Sequence, residues 1–186
     1  MTPSTRAASL ALLATAFGLT LALTACRSYH VGRIGHPQIQ SICIGEFDNA
    51  TDEPALAILL RSKLAEAFAR DGTFKLADRA AADVVVQGRV VSYTSRGIAS
   101  AKLRDDADKP DERSSYKTTH YRIDLTVEYE LAAARQEGHA VLRPATLTGE
   151  GSFPELPDMN TGRQTGFEQA AADVAAKIAA AVSEAW

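Results

Sequence analysis

Four kinds of side chain in this 186-residue sequence have the chemistry of a site: cysteines, histidines, an alternating run of acids and a scattered set of cations. His30, His36, His120 and His139 are far apart and lack the paired spacing that a zinc site uses. Asp124, Glu128 and Glu130 fall on one parity of a strand-like run, as two hydrolytic carboxylates would; the same alternation is also how a solvated strand face looks. Gly149-Glu150-Gly151-Ser152 sets a carboxylate beside a hydroxyl but reads better as a strand with small inward residues. The acids of 105–112 (DDADKPDE) resemble a calcium loop only loosely, because Pro110 and Asp111 stand where the sharp-turn glycine belongs. No nucleophile elbow, phosphate loop or dinucleotide fingerprint occurs. The expectation is a chain that is not an enzyme, with no metal and no cofactor.

The cysteines divide differently. Cys26 follows Leu23-Thr24-Ala25, at the end of an apolar run from Ala7 to Leu23 in which Arg6 is the one preceding charge. A basic start, an apolar stretch and small residues make a cleavable secretory signal, and Thr15, Gly18 and Thr20 within the run argue against a retained span. Leu23-Thr24-Ala25-Cys26 resembles the lipobox of bacterial lipoproteins, in which the cysteine is lipidated and becomes the first mature residue. The alternative is an ordinary signal with a chance cysteine. The resemblance implies a diacylglycerol thioether on Cys26, palmitate-type acylation and a stable hold on a bilayer, since each buried methylene is worth roughly 0.8 kcal/mol. In such lipoproteins an aspartate after the cysteine commonly retains the protein at the inner membrane. Arg27 stands there instead, so the expected place is the periplasmic side of the outer membrane. Cys43, within Ile42-Cys43-Ile44, is expected to be a buried thiol without a disulfide partner.

The expected organisation is a signal peptide over 1–25, a lipidated N-terminus and tether over 26–37, and one domain over 38–186. Without Arg6 the 20 basic side chains become 19, against 23 acidic ones; a mildly acidic chain with no basic stripe does not suit nucleic acid. Within the domain, 39–47 (IQSICIGEF) reads as a strand covered on both faces or placed centrally. A turn over 48–54 (DNATDEP) precedes a helix in which Thr51 or Asp52 caps the first amides and Gly72 ends the last turn. Leu56, Leu59, Leu60, Leu64, Ala67 and Phe68 make its apolar face. A strand over 84–94 sets Val84, Val86, Gly88 and Val90 on one side and Val85, Val91 and Tyr93 on the other. A polar loop over 99–115 follows. Tyr121, Ile123, Leu125, Val127, Tyr129 and Leu131 then alternate with polar residues, which marks a strand with one wet face. After a turn over 136–139, a return strand over 141–153 carries Leu147, Gly149, Gly151 and Phe153 inward. A connection over 155–162 leads to an alanine-rich helix over 163–185, faced by Phe167, Ala171, Val174, Ile178 and Val182. The order β-α-β-β-β-α predicts an α+β two-layer sandwich, with two helices on one face of a mostly antiparallel sheet.

Several of these stretches resemble one family. Tyr29-His30-Val31-Gly32, the run 42–54 (ICIGEFDNATDEP), Arg70-Asp71-Gly72-Thr73-Phe74-Lys75-Leu76 and 82–88 (ADVVVQG) are similar to the LptE family of LPS-assembly lipoproteins. The likeness is strongest over 26–95 and rests on element order beyond. It implies a lipoprotein that plugs an LptD-type outer-membrane β-barrel, helps the barrel assemble and helps lipopolysaccharide reach the outer leaflet. Its partners would be the barrel, lipopolysaccharide and outer-membrane lipid through the Cys26 anchor. The rival is a regulatory lipoprotein that activates a peptidoglycan synthase; a tether of about a dozen residues, at most ~3.5 Å each, favours work near the membrane.

Lipopolysaccharide carries phosphates, and an acidic protein that holds it needs local positive charge. Arg96, Lys102, Arg104 and Lys117 flank the long loop and are the candidate contacts, with Arg96 and Lys117 expected to face each other near the base of a hairpin. Asp105, Asp106 and Asp108 offer the opposing reading, a solvated tip whose acids neutralise those cations.

Overall fold

A computed structural model of the chain describes residues 39–102, 116–135, 140–155 and 158–185. The expected signal and tether, Cys26, Arg104, the acidic tip and the turn over 136–139 lie outside these residues. The elements are β1 (Ser41–Asn49), α1 (Leu56–Asp71), β2 (Lys75–Leu76), β3 (Val84–Lys102), β4 (Tyr116–Ala133), β5 (Ala140–Pro154) and α2 (Met159–Glu184). They form one five-stranded sheet in the order β2-β1-β3-β4-β5. β1 pairs parallel with β2 and β3, whereas the two long pairings, β3–β4 and β4–β5, are antiparallel. The expected α+β arrangement of two helices on a mostly antiparallel sheet is the one found. The short β2 is an addition to the expected order.

The alternation of β4 decides the layers. Ile123, Leu125, Val127, Tyr129 and Leu131 are buried, and each is flanked by a half-exposed polar residue. The buried set joins Ile42, Phe47, Val86 and Val90 beneath the apolar faces of α1 and α2 in a single core. Leu56, Leu60, Leu64, Ala67 and Phe68 of α1 are buried as their spacing requires, with Leu59 at the margin. Phe167, Ala171, Val174, Ile178 and Val182 of α2 are buried likewise. Gly149 and Gly151 let α2 lie close on β5: a Cβ at Gly151 would collide with the carbonyl oxygen of Gly166 and sit 2.7 Å from the Ala170 amide nitrogen.

Four local expectations are corrected. Cys43 is a free, half-buried thiol, because it points to the face that no helix covers. The sides of β3 do not keep one parity. A register shift between Val90 and Ser92 turns Tyr93 onto the helix side, where it meets Phe167 edge-on at 5.0 Å. α1 has no side-chain cap, since Thr51 is spent in the preceding turn. α2 starts at Met159 rather than 163, because Asp158 caps it: its carboxylate accepts from the Asn160 amide at 3.0 Å and from the Thr161 hydroxyl at 2.6 Å.

The start of β1 is tied to β3 by one carboxylate. Asp83 Oδ2 accepts from the Gln40 and Ser41 amides, each at 3.0 Å, and from the Ser41 hydroxyl at 2.8 Å. The Gln40 amide first, then the Ser41 hydroxyl, hold the Asp83 carboxyl below its ordinary range. A carboxyl depressed by folding stabilises above its unfolded pKa, and that contribution is lost as pH falls through the folded value. Asp83→Ala should therefore lower the melting temperature at pH 7, with the gap from the parent closing below about pH 4; a gap that widens in acid would contradict this latch.

The layering makes a second prediction. Leu125→Asp places an unpaired charge in the core and should cost about 3–5 kcal/mol, whereas Thr126→Asp on the open face should cost about 0.5 kcal/mol. Equal melting temperatures would contradict the two-layer core.

Candidate functional site

The helix-free face of the sheet is built from cross-strand charge pairs. Arg89 meets Glu128 at 3.0 Å, Arg96 meets Asp124 at 3.1 Å and Arg122 meets Glu150 at 3.0 Å. Gln87 donates to Glu130 at 2.8 Å, and Thr126 shares a hydrogen bond with Thr148 at 3.3 Å. These contacts follow from the wet parity of β4 and the register that lays β3 and β5 on either side of it. Asp124, Glu128 and Glu130 each lie against a cation or an amide of β3, which is the arrangement of a solvated strand face rather than of two free carboxylates flanking a substrate. Glu150 is bridged in the same way. Among the described residues no three or more His, Cys, Asp or Glu are grouped to hold a metal. A depression of about 400 Å³ opens on this face between Glu46, Asp48, Arg89, Glu128, Glu130 and Pro144.

The three described candidate cations all sit on the β3–β4 ribbon, but not as expected. Arg96 is opposite Arg122, and Lys117 is opposite Ala101. They do not face each other. Register shifts between Gly97 and Ala99 and between Ala99 and Ser100 carry the strands on to Lys102 and Tyr116, so the paired strands run further than the polar composition suggests. Lys117 and Lys102 therefore lie together near the far end, with Arg96 and Arg122 nearer the base. Lys117 pairs with Glu155 at 3.2 Å and Arg96 with Asp124, so acids of β4 and of the segment after β5 meet two of the cations. Arg122 is a cation the sequence reading passed over. Its wet parity on β4 was a signal for it, but its place beside Arg96 depends on the register.

Below the ribbon the 48–54 turn has a structural task. Asn49 Oδ1 accepts from the Thr51 amide at 3.0 Å and from its hydroxyl at 2.7 Å, Asn49 Nδ2 donates to the Glu53 carbonyl at 2.8 Å, and Thr51 Oγ1 accepts from the Glu53 amide at 3.3 Å. The turn thus presents Glu53 to Arg163 of α2, which ion-pairs with it and lies over the Tyr93 and Phe167 rings. Burial, and then the hydrogen bond to Asp52, push the Tyr93 phenol above its ordinary pKa. Asn49 to Pro54 is accordingly a clamp joining β1, β3 and α2 at the root of the ribbon.

A family model for lipopolysaccharide assembly, LptE, matches residues 39–182, from just before β1 to Val182 near the end of α2. The chain belongs to the LptE family. No curated protein sequence matches it. Among solved structures, a putative lipoprotein from Caulobacter crescentus CB15 is similar at 15% identity, over 76% of this chain and 87% of that one, with a TM-score of 0.45. The PelC dodecamer from Paraburkholderia phytofirmans is similar at 15% identity, over 82% and 94%, with a TM-score of 0.49. A minor lipoprotein from Acinetobacter baumannii is similar at 16% identity, over 78% and 93%, with a TM-score of 0.43. No described helix of the LptE-family chain is long and apolar enough to cross a membrane.

The clamp makes a prediction about stability. Asn49→Ala leaves the Glu53 carbonyl and the Thr51 amide without their partner and should cost about 1–2 kcal/mol. Arg163→Lys should lose the flat stacking on Tyr93 and Phe167 while keeping the charge, and should cost less than Arg163→Ala. Melting curves of the three variants check the order; no loss for Asn49→Ala would remove the turn from its clamping role.

Proposed function

We propose that this LptE-family chain is an outer-membrane lipoprotein of the lipopolysaccharide-transport machinery, held by lipid on Cys26 at the periplasmic side. There it is a plug and assembly partner of an LptD-type β-barrel, and its part in the work is binding and positioning rather than catalysis. The observation that carries the reading is the family match across the whole two-layer domain, 39–182. The activator of a peptidoglycan synthase, the rival reading from sequence, gains nothing from that match.

The lipopolysaccharide contacts proposed are Arg96, Lys102, Arg104 and Lys117. Phosphates on the ligand would compete with Asp124 and Glu155 for Arg96 and Lys117. Both cations are more than half exposed, whereas Asp124 and Glu155 are 19% and 24% exposed, so each cation can turn toward a phosphate while its acid stays beside it. Replacing all four by Ser should weaken lipopolysaccharide binding at low salt, where exposed charges matter most, while each substitution costs under about 0.5 kcal/mol of stability. Binding by the folded fourfold variant as tight as the parent's would remove these residues from the site. In cells, Cys26→Ser should abolish incorporation of labelled fatty acid, and depletion of the protein should leave lipopolysaccharide short of the cell surface. Continued labelling of the Cys26 variant would refute the anchor.

A further inference from the structure

The sheet treats its exposed edges unequally. β2, at one end, is two residues long. β5, at the other, is closed by side chains of α2: the Glu150 amide donates to Asp173 at 2.8 Å, the Ser152 amide donates to Gln169 at 3.1 Å, and the Thr148 carbonyl accepts from Lys177 at 2.8 Å. Short strands and capped amides are two ways in which a sheet avoids pairing with foreign chains. β3 has a third edge. Its pairing with β1 ends at Asn49–Val90, where the Ala50 amide donates to the Val90 carbonyl at 3.0 Å. From Val91 to Lys102 β3 continues against β4 alone; among the described residues no strand pairs with its other side. All of this stretch except half-buried Tyr93 is exposed, Ile98 to 46%.

We propose that this edge of β3 is a docking site for an extended, acidic polypeptide segment of a partner protein, added to the sheet as a further strand. Backbone groups along a strand alternate between its two neighbours, so a 12-residue edge offers a ladder of donors and acceptors to an extended chain. Where β1 diverges, a recess of about 400 Å³ between Ala50, Thr51, Asp52, Val91, Ser92 and Tyr93 leaves room for the end of the incoming strand. The clamp at Asn49 and Arg163 holds the root of the ribbon, so the edge is presented on a fixed base. The charge selects the occupant. Residues 91–102 and 116–122 contain Arg96, Lys102, Lys117 and Arg122 and no Asp or Glu; Asp124, Glu155 and Glu150 reach Arg96, Lys117 and Arg122 from the β4 and β5 side, away from the open edge of β3. A second copy of β3 would bring Arg96 and Lys102 against the same cations, and like charges across a ladder repel. An acidic segment gains where a copy loses, because Arg96 and Lys117 are themselves more than half exposed and can meet a further carboxylate while keeping Asp124 and Glu155. The inference concerns the backbone edge of β3 and stands apart from any lipopolysaccharide contact by the same cations.

The test uses the full lipidated protein in detergent and two fluorescein-labelled 12-residue peptides, one alternating Thr or Val with Glu, the other with Lys in place of each Glu. Fluorescence anisotropy should show the Glu peptide binding at least about tenfold tighter than the Lys peptide. Hydrogen exchange should slow by at least about tenfold at alternate amides between Ser92 and Ile98 in its presence. The double variant Arg96→Glu, Lys102→Glu, shown to be folded by its melting curve, should prefer the Lys peptide. If that variant is unfolded, the parent's peptide preference and exchange pattern decide alone. Absence of binding, equal binding of both peptides, or binding of the Glu peptide without slowed exchange over these residues overturns the proposal. Slow exchange in the protein alone assigns the edge to its own chain, or to a second copy if the slowing grows with protein concentration. Either result overturns the proposal as well.

Discussion

The close approach of α2 to β5 is the contact on which most of the structure depends. It exists because Gly149 and Gly151 put no side chain between the strand and the helix backbone at Gly166, Ala170 and Val174. That approach buries the alanine-rich face of α2, including Ala170, Ala171 and Ala175, which would be too small to fill a wider gap. It also brings Gln169, Asp173 and Lys177 within reach of the β5 backbone, so one choice of small residues both packs the core and closes an edge. The N-terminal end of the same helix delivers Arg163 to Glu53 and to the Tyr93 and Phe167 rings, which locks the β1–α1 turn and the root of the ribbon.

Where a periodic pattern met a single burying partner, the sequence was legible. β4 shows this best, since its period of two is set by one helix-covered face and one wet face, and register followed parity over most of its length. The apolar faces of α1 and α2 were legible for the same reason, and the family was legible in the turn motifs, whose Asn49 and Thr51 have a local hydrogen-bonding task. What failed to show were features fixed by long-range pairing. The shift after Val90 that sends Tyr93 inward has no composition signal of its own, and neither have the shifts around Ala99 that lengthen the ribbon. The candidate cations were found as residues, but their grouping depended on that register, and so Arg122 was overlooked while Arg96 and Lys117 were wrongly paired.

The two faces of the sheet divide the labour. One is given wholly to the core beneath the helices. The other carries Arg89–Glu128, Arg96–Asp124 and Arg122–Glu150, whose cations keep 36–62% of their side chains exposed. A surface of this kind holds its shape through backbone pairing while its cations stay accessible to solvent.

Affinity purification of the full chain from detergent-solubilised cell envelope, followed by identification of what comes with it, tests the central claim most directly. The account predicts a large β-barrel of the LptD type, present in proportion to the bait and retained in high salt, because a plug buries much more than screened surface charge. A peptidoglycan synthase in place of any barrel would contradict it.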